Sequence, residues 1–84
     1  MRKRASPELQ EHLFQAIRTQ IETNTPPQTK QTYDRLLGEG IADKDAHVHL
    51  IRALVYELFV MMKEERPFNE ENYAKLLDRL PNLD

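Results

Sequence analysis

The stretch DKDAHVHLIRALVYELFVMMKE, residues 43–64, decides the fold. Its apolar positions are Ala46, Val48, Leu50, Ile51, Ala53, Leu54, Val55, Leu58, Phe59, Val60, Met61 and Met62. Set at about 100° per residue, they cover more than half of a helical circumference. Asp43 is suited to cap the start, and Arg66-Pro67-Phe68 breaks the pattern after Glu64. A helix apolar over so wide an arc belongs at the centre of a fold, against several neighbours or a second subunit.

Working outward, Gly38-Glu39-Gly40 ends an earlier helix, since glycine tolerates the left-handed conformation common at helix C-termini. That second helix is expected to begin at Pro26 with Thr25 as its cap, and to carry Thr29, Tyr33, Leu36 and Leu37 as its inner stripe. Upstream, Ser6-Pro7-Glu8 opens a first helix, where Leu9, Leu13, Ile17 and Ile21 recur every four residues. Downstream, Asn69 caps a fourth helix from Glu70 to Leu80, with Tyr73, Leu76, Leu77 and Leu80 inside and Pro81 closing it. No sustained alternation or hairpin turn signal accompanies them. The expected fold is all-α: a four-helix compact array around a long central third helix, forming one domain over residues 1–84 with residues 1–5 as a disordered tail.

Composition narrows the function classes. A chain of 84 residues is one domain at most, and at this size it buries only roughly 60% of its unfolded surface. There is no cysteine, which rules out disulfides and Cys-ligated metal sites and fits a reducing compartment. No apolar run approaches the ~20 residues needed to span a bilayer. Met1-Arg2-Lys3-Arg4 leads into Ser6-Pro7-Glu8 rather than an apolar stretch, so no secretory signal is expected and a cytoplasmic location is. With 12 basic and 14 acidic residues interspersed, the chain lacks the basic face of a nucleic-acid binder outside the Arg2–Arg4 cluster.

Three histidines and a few carboxylates are the candidates for chemistry. His47 and His49 fall roughly 200° apart on one helix, so they cannot share a metal from it. His47 lies within the apolar arc one turn after Asp43, where a core histidine bonded to a carboxylate or carbonyl is expected. Glu57 also lies inside that arc and must find a partner or lose its charge. Available partners include Arg18, Arg35, Arg52, His49, Tyr33 and Tyr73, and a hydrogen bond or ion pair holding two helices in register is the expected role. His49, Ala53 and Glu57 could line a shallow groove with His12, although two turns, about 12 Å, separate His49 from Glu57. Gln20, within the first helix's stripe, is expected to cap a neighbouring backbone group. Tyr33, Phe68 and Tyr73 are read as core. Neither a phosphate-binding glycine loop nor a nucleophile–histidine–carboxylate set is present in the sequence, and no cofactor is expected.

Thr25-Pro26-Pro27, Tyr33-x-x-Leu36-Leu37, Gly40, Ala46-x-x-His49, Glu57 and Phe68-x-x-x-x-Tyr73-x-x-Leu76 resemble the pattern of a bacterial family of small helical proteins of unknown function. Ala16-Ile17 and Gln20 are similar to its first helix. The resemblance spans about residues 9–80 and implies a bacterial cytoplasmic protein with no assigned activity. It also leads one to expect a histidine in the first helix where this chain has Phe14, so a metal site built on a histidine pair with Glu57 would lack one corner.

These features point to a non-catalytic protein-interaction or self-assembly module, partnered by itself or by another protein. The alternative is a small metal- or ligand-binding protein using His49 and Glu57 with His12 or His47. Nucleic-acid association through the Arg2–Arg4 cluster is a third and weaker expectation.

Overall fold

The third helix forms over the expected residues, Asp43–Glu64 (α3), in a computed structural model that describes residues 7–83. The other helices are α1 (Pro7–Thr23), α2 (Pro27–Gly38) and α4 (Glu70–Arg79). There is no strand among the described residues. The expected Ser6 cap and the basic cluster at residues 2–4 lie outside the described residues.

Three of the punctuation marks differ from expectation. α2 begins at Pro27 with Pro26 as its cap residue, and Thr25 instead donates its hydroxyl to the Thr23 carbonyl at 3.0 Å. Two consecutive prolines lack the N–H groups that a threonine hydroxyl would have satisfied, so little is left to cap. Ala42, not Asp43, caps α3. Asp43 is the first helical residue, where its charge still favours the positive end of the helix dipole, and its carboxylate accepts the Tyr33 hydroxyl instead. At the other end Glu65, not the Arg66-Pro67 pair, makes the stop. It adopts the left-handed conformation (φ 52°, ψ 49°), and the Arg66 N–H returns to the Met61 carbonyl at 3.1 Å. Gly40 (φ 90°) terminates α2 as its type suggests. Asn69 caps α4 as read, its side-chain oxygen accepting the Asn72 N–H at 2.9 Å.

α3 packs against all three other helices, and so does α2. The core comprises Ile17 from α1, Leu36 from α2, Ala46, Leu50, Ala53 and Leu54 from α3, and Tyr73, Leu76 and Leu77 from α4. Leu80 and Leu83, beyond the last helix, close it. Arg35 fixes α2 to the end of α4 by donating to the Leu77 and Leu80 carbonyls, each at 3.0 Å. The Leu80 carbonyl is among the groups a helix end leaves unsatisfied, and the Leu77 carbonyl also accepts the Leu80 N–H at 3.1 Å. Not every residue of the expected stripes is inside: Leu9 on α1 and Leu37 on α2 are exposed.

The buried part of α3 is narrower than its apolar arc. Ala46, His47, Leu50, Ala53, Leu54 and Glu57 face the interior, a sector of about 120° on the helical wheel. On the rest of the apolar arc Val48, Val55, Leu58, Phe59 and Met62 are exposed, while Ile51 is half-buried against the core. No helix among the described residues is long and apolar enough to cross a membrane.

Candidate functional site

Glu57 is fully buried near the C-terminal end of α3. Burial of a bare carboxylate is costly, and here four donors offset it. Arg66 reaches Oε2 through Nη1 at 2.8 Å and Oε1 through Nη2 at 3.1 Å, a forked pair. The Asn69 N–H adds a bond to Oε2 at 3.1 Å, and Asn72 Nδ2 one to Oε1 at 2.7 Å. The Arg66 guanidinium, aided by the two asparagines, outweighs desolvation and holds the Glu57 pKa down at about 2. Glu57 itself raises the Arg66 pKa further above its ordinary value, with Glu64 assisting. The cluster ties the end of α3 to the start of α4, which is the register-holding role expected of Glu57. Its partner differs from those expected: Arg35, Tyr33 and Tyr73 are engaged elsewhere. Arg66 signals a helix stop in the sequence, and only the fold-back of the α3–α4 connection brings it to Glu57.

His47 is buried in an aromatic cage. The Phe14 ring stacks on it with centroids 5.7 Å apart, and Tyr33 meets it edge-on at 5.3 Å. Nδ1 lies 2.9 Å from the Asp43 carbonyl, which can only accept, so this nitrogen carries the proton. Nε2 is buried with no hydrogen-bond partner. Phe14, standing where the resemblance suggests a histidine, thus contributes a wall of that cage. The short contact from Tyr33 to Asp43 raises the Tyr33 pKa, first through the hydrogen bond itself and then through burial.

Gln20 caps no backbone group. Its Oε1 accepts from Thr29 Oγ1 at 2.7 Å and from the Tyr73 hydroxyl at 3.1 Å, so one amide oxygen joins α1, α2 and α4. Thr29, read as part of an apolar stripe, is buried because this bond satisfies its hydroxyl. Burial raises the Tyr73 pKa, while its hydrogen bonds to Thr29 and Gln20 act in the opposite sense. Phe68 is an exposed ring on the α3–α4 connection rather than a core residue, and it meets Tyr73 edge-on at 5.4 Å.

The four metal candidates are not brought together. His12 is exposed on α1, His49 is half-buried on α3, His47 sits in its cage and the Glu57 oxygens are taken. Among the described residues no group of three His, Asp or Glu side chains is placed to hold a metal ion.

The outer side of α3 is an open apolar feature. Val48, Val55, Leu58, Phe59 and Met62 are exposed there, Phe59 to 64% and Met62 to 77%. With half-buried Ile51 they form one strip: positions 48, 51, 55, 58 and 62 repeat at alternating spacings of three and four, the seam pattern of paired helices. Two shallow hollows flank the strip. One, of about 420 Å³, is lined by Ile51, Arg52, Val55, Tyr56, Phe59 and Leu83. The other, of about 220 Å³, lies between Leu13 and Phe14 of α1 and Val48 and Ile51 of α3. Ile51 and Arg52 border both, which makes them one continuous face.

Comparison of the chain with models of protein families, with curated proteins and with solved structures finds no match.

Proposed function

We propose that this chain is a non-catalytic protein-interaction module that docks through the open apolar face of α3. The observation that carries this reading is the exposure of Val48, Val55, Leu58, Phe59 and Met62 along one side of a helix whose opposite side already fills the core. The part of each such side chain left in water forgoes its share of the roughly 1.5–3 kcal/mol that full burial contributes, and contiguous apolar patches of this kind mark contact surfaces. The hydrogen-bonded buried polar groups support the non-catalytic part, since Glu57, Gln20 and Tyr73 spend their polar atoms on bonds that join elements of the fold. The sequence resemblance is what supports a bacterial cytoplasmic setting.

The test compares the wild-type chain with a Val55→Glu/Phe59→Glu variant. An apolar dye such as anilinonaphthalene sulfonate should bind the dilute wild-type protein and not the variant, or the wild type should associate and the variant should not. In dilute solution, where both are single chains, both should melt alike, because neither side chain supports the core. If neither dye binding nor association distinguishes the two proteins, the docking reading is wrong.

A further inference from the structure

We infer that the occupant of the α3 face is a second copy of this chain, packed α3 against α3 in antiparallel sense about a twofold axis near Val55. This inference rests on the docking reading above and adds the partner and its orientation.

Three observations point to a copy in this orientation. The first is shape. Phe59 is the prominent knob of the face, four residues C-terminal of Val55, and the hollow beside Val48 and Leu13 lies on the N-terminal side. An antiparallel crossing at Val55 sets each Phe59 opposite the Val48–Ile51 end of the other copy, where that hollow opens. A parallel crossing would set Phe59 against Phe59 and hollow against hollow.

The second is charge. Lys44 continues the strip at its N-terminal end, one four-residue step before Val48, and Glu65 follows its C-terminal end. Both are exposed. Antiparallel packing brings each Lys44 towards the other copy's Glu65 and opposes the two helix dipoles favourably. Parallel packing brings lysine to lysine and glutamate to glutamate.

The third is area. Val48, Val55, Tyr56, Leu58, Phe59 and Met62 are about 40–80% exposed, and at about 150–250 Å² for a large side chain they leave on the order of 600 Å² per chain. A twofold contact counts every residue twice. Were all of it covered, the total would come to the ~1,200 Å² at which specific interfaces begin.

The experiment combines sedimentation with disulfide trapping, which the absence of native cysteine makes clean. The mass of the wild-type chain should rise from one to two chains with concentration across the micromolar range. Val55→Glu, which would set two carboxylates together near the axis, should weaken that association by at least ~30-fold while leaving the helical circular dichroism intact. Lys44 and Glu65 lie about 31 Å apart along the helix, so trapping separates the orientations. In an oxidised mixture of Lys44→Cys and Glu65→Cys chains, the mixed disulfide should dominate. Preferred Lys44→Cys homodimers overturn the antiparallel arrangement and leave the docking face standing. A wild-type chain that stays single at every concentration yet still binds dye on the α3 face overturns the second copy alone. Association that survives Val55→Glu overturns both the copy and the face.

Discussion

Glu57 is the residue whose environment makes the sharpest demand. Its pKa in the folded protein, about 2, lies below the ordinary value of 4.5. The Glu57 network therefore contributes its full stability above about pH 4.5 and loses it as pH falls towards 2, with a magnitude on the order of 3 kcal/mol. Glu57→Gln should lower stability at neutral pH by that amount in urea denaturation. Between pH 4.5 and 2 the gap between variant and wild type should shrink. A gap that stays constant over that range would show that shape, not charge, is what Arg66 recognises. The helical wheel placed Glu57 inside an apolar arc and so made a partner necessary. It gave no means of choosing Arg66, because a residue in a connecting segment has no helical phase to read.

At the scale of the element, helix positions were legible and helix caps less so. α3 runs over Asp43–Glu64, as periodicity and breakers indicated, because both signals are local. Asp43 and Thr25 were misread as caps, since an acidic or hydroxyl side chain near a helix start has several competing uses. Asp43 takes a tyrosine hydroxyl from α2 and Thr25 turns back to Thr23, both choices made by surrounding structure. Asn69 does cap α4. Asn69→Ala should cost about 1 kcal/mol of stability, while Asn69→Ser should retain most of it, by thermal melts of the two variants. The Asn69 bond to Glu57 is made by backbone and survives both changes, so an Ala variant as destabilised as Glu57→Gln would contradict this division of roles. The width of the α3 apolar arc could be read from sequence, but which part of it the chain's own helices would cover could not. That partition depends on where α1 and α4 lie, and their stripes report only that each has an inner face.

For the whole molecule, the core is completed by residues far apart in the chain. Leu83, which no periodic pattern marks, is almost fully buried beyond the last helix, and its carbonyl accepts from Arg79 at 2.8 Å. Leu83→Ala should cost about 2–5 kcal/mol, the range of a leucine truncated in a packed core, read as a lower urea midpoint with unchanged slope. A change within experimental error would place Leu83 outside the cooperative unit. Gln20 draws a still longer span, since one of its two hydroxyl donors is Tyr73. A ribosome adds roughly 5–20 residues each second, so the first helix emerges several seconds before the residue that satisfies its inward amide. For the last part of that interval, about 0.5–2 s between Glu64 and Tyr73, the nascent chain holds α1, α2 and the whole greasy circumference of α3 without the α4 segment that seals them. Native assembly thus waits for the α4 segment, and the growing chain is most vulnerable to aggregation or proteolysis while its longest helix is already made and α4 is not.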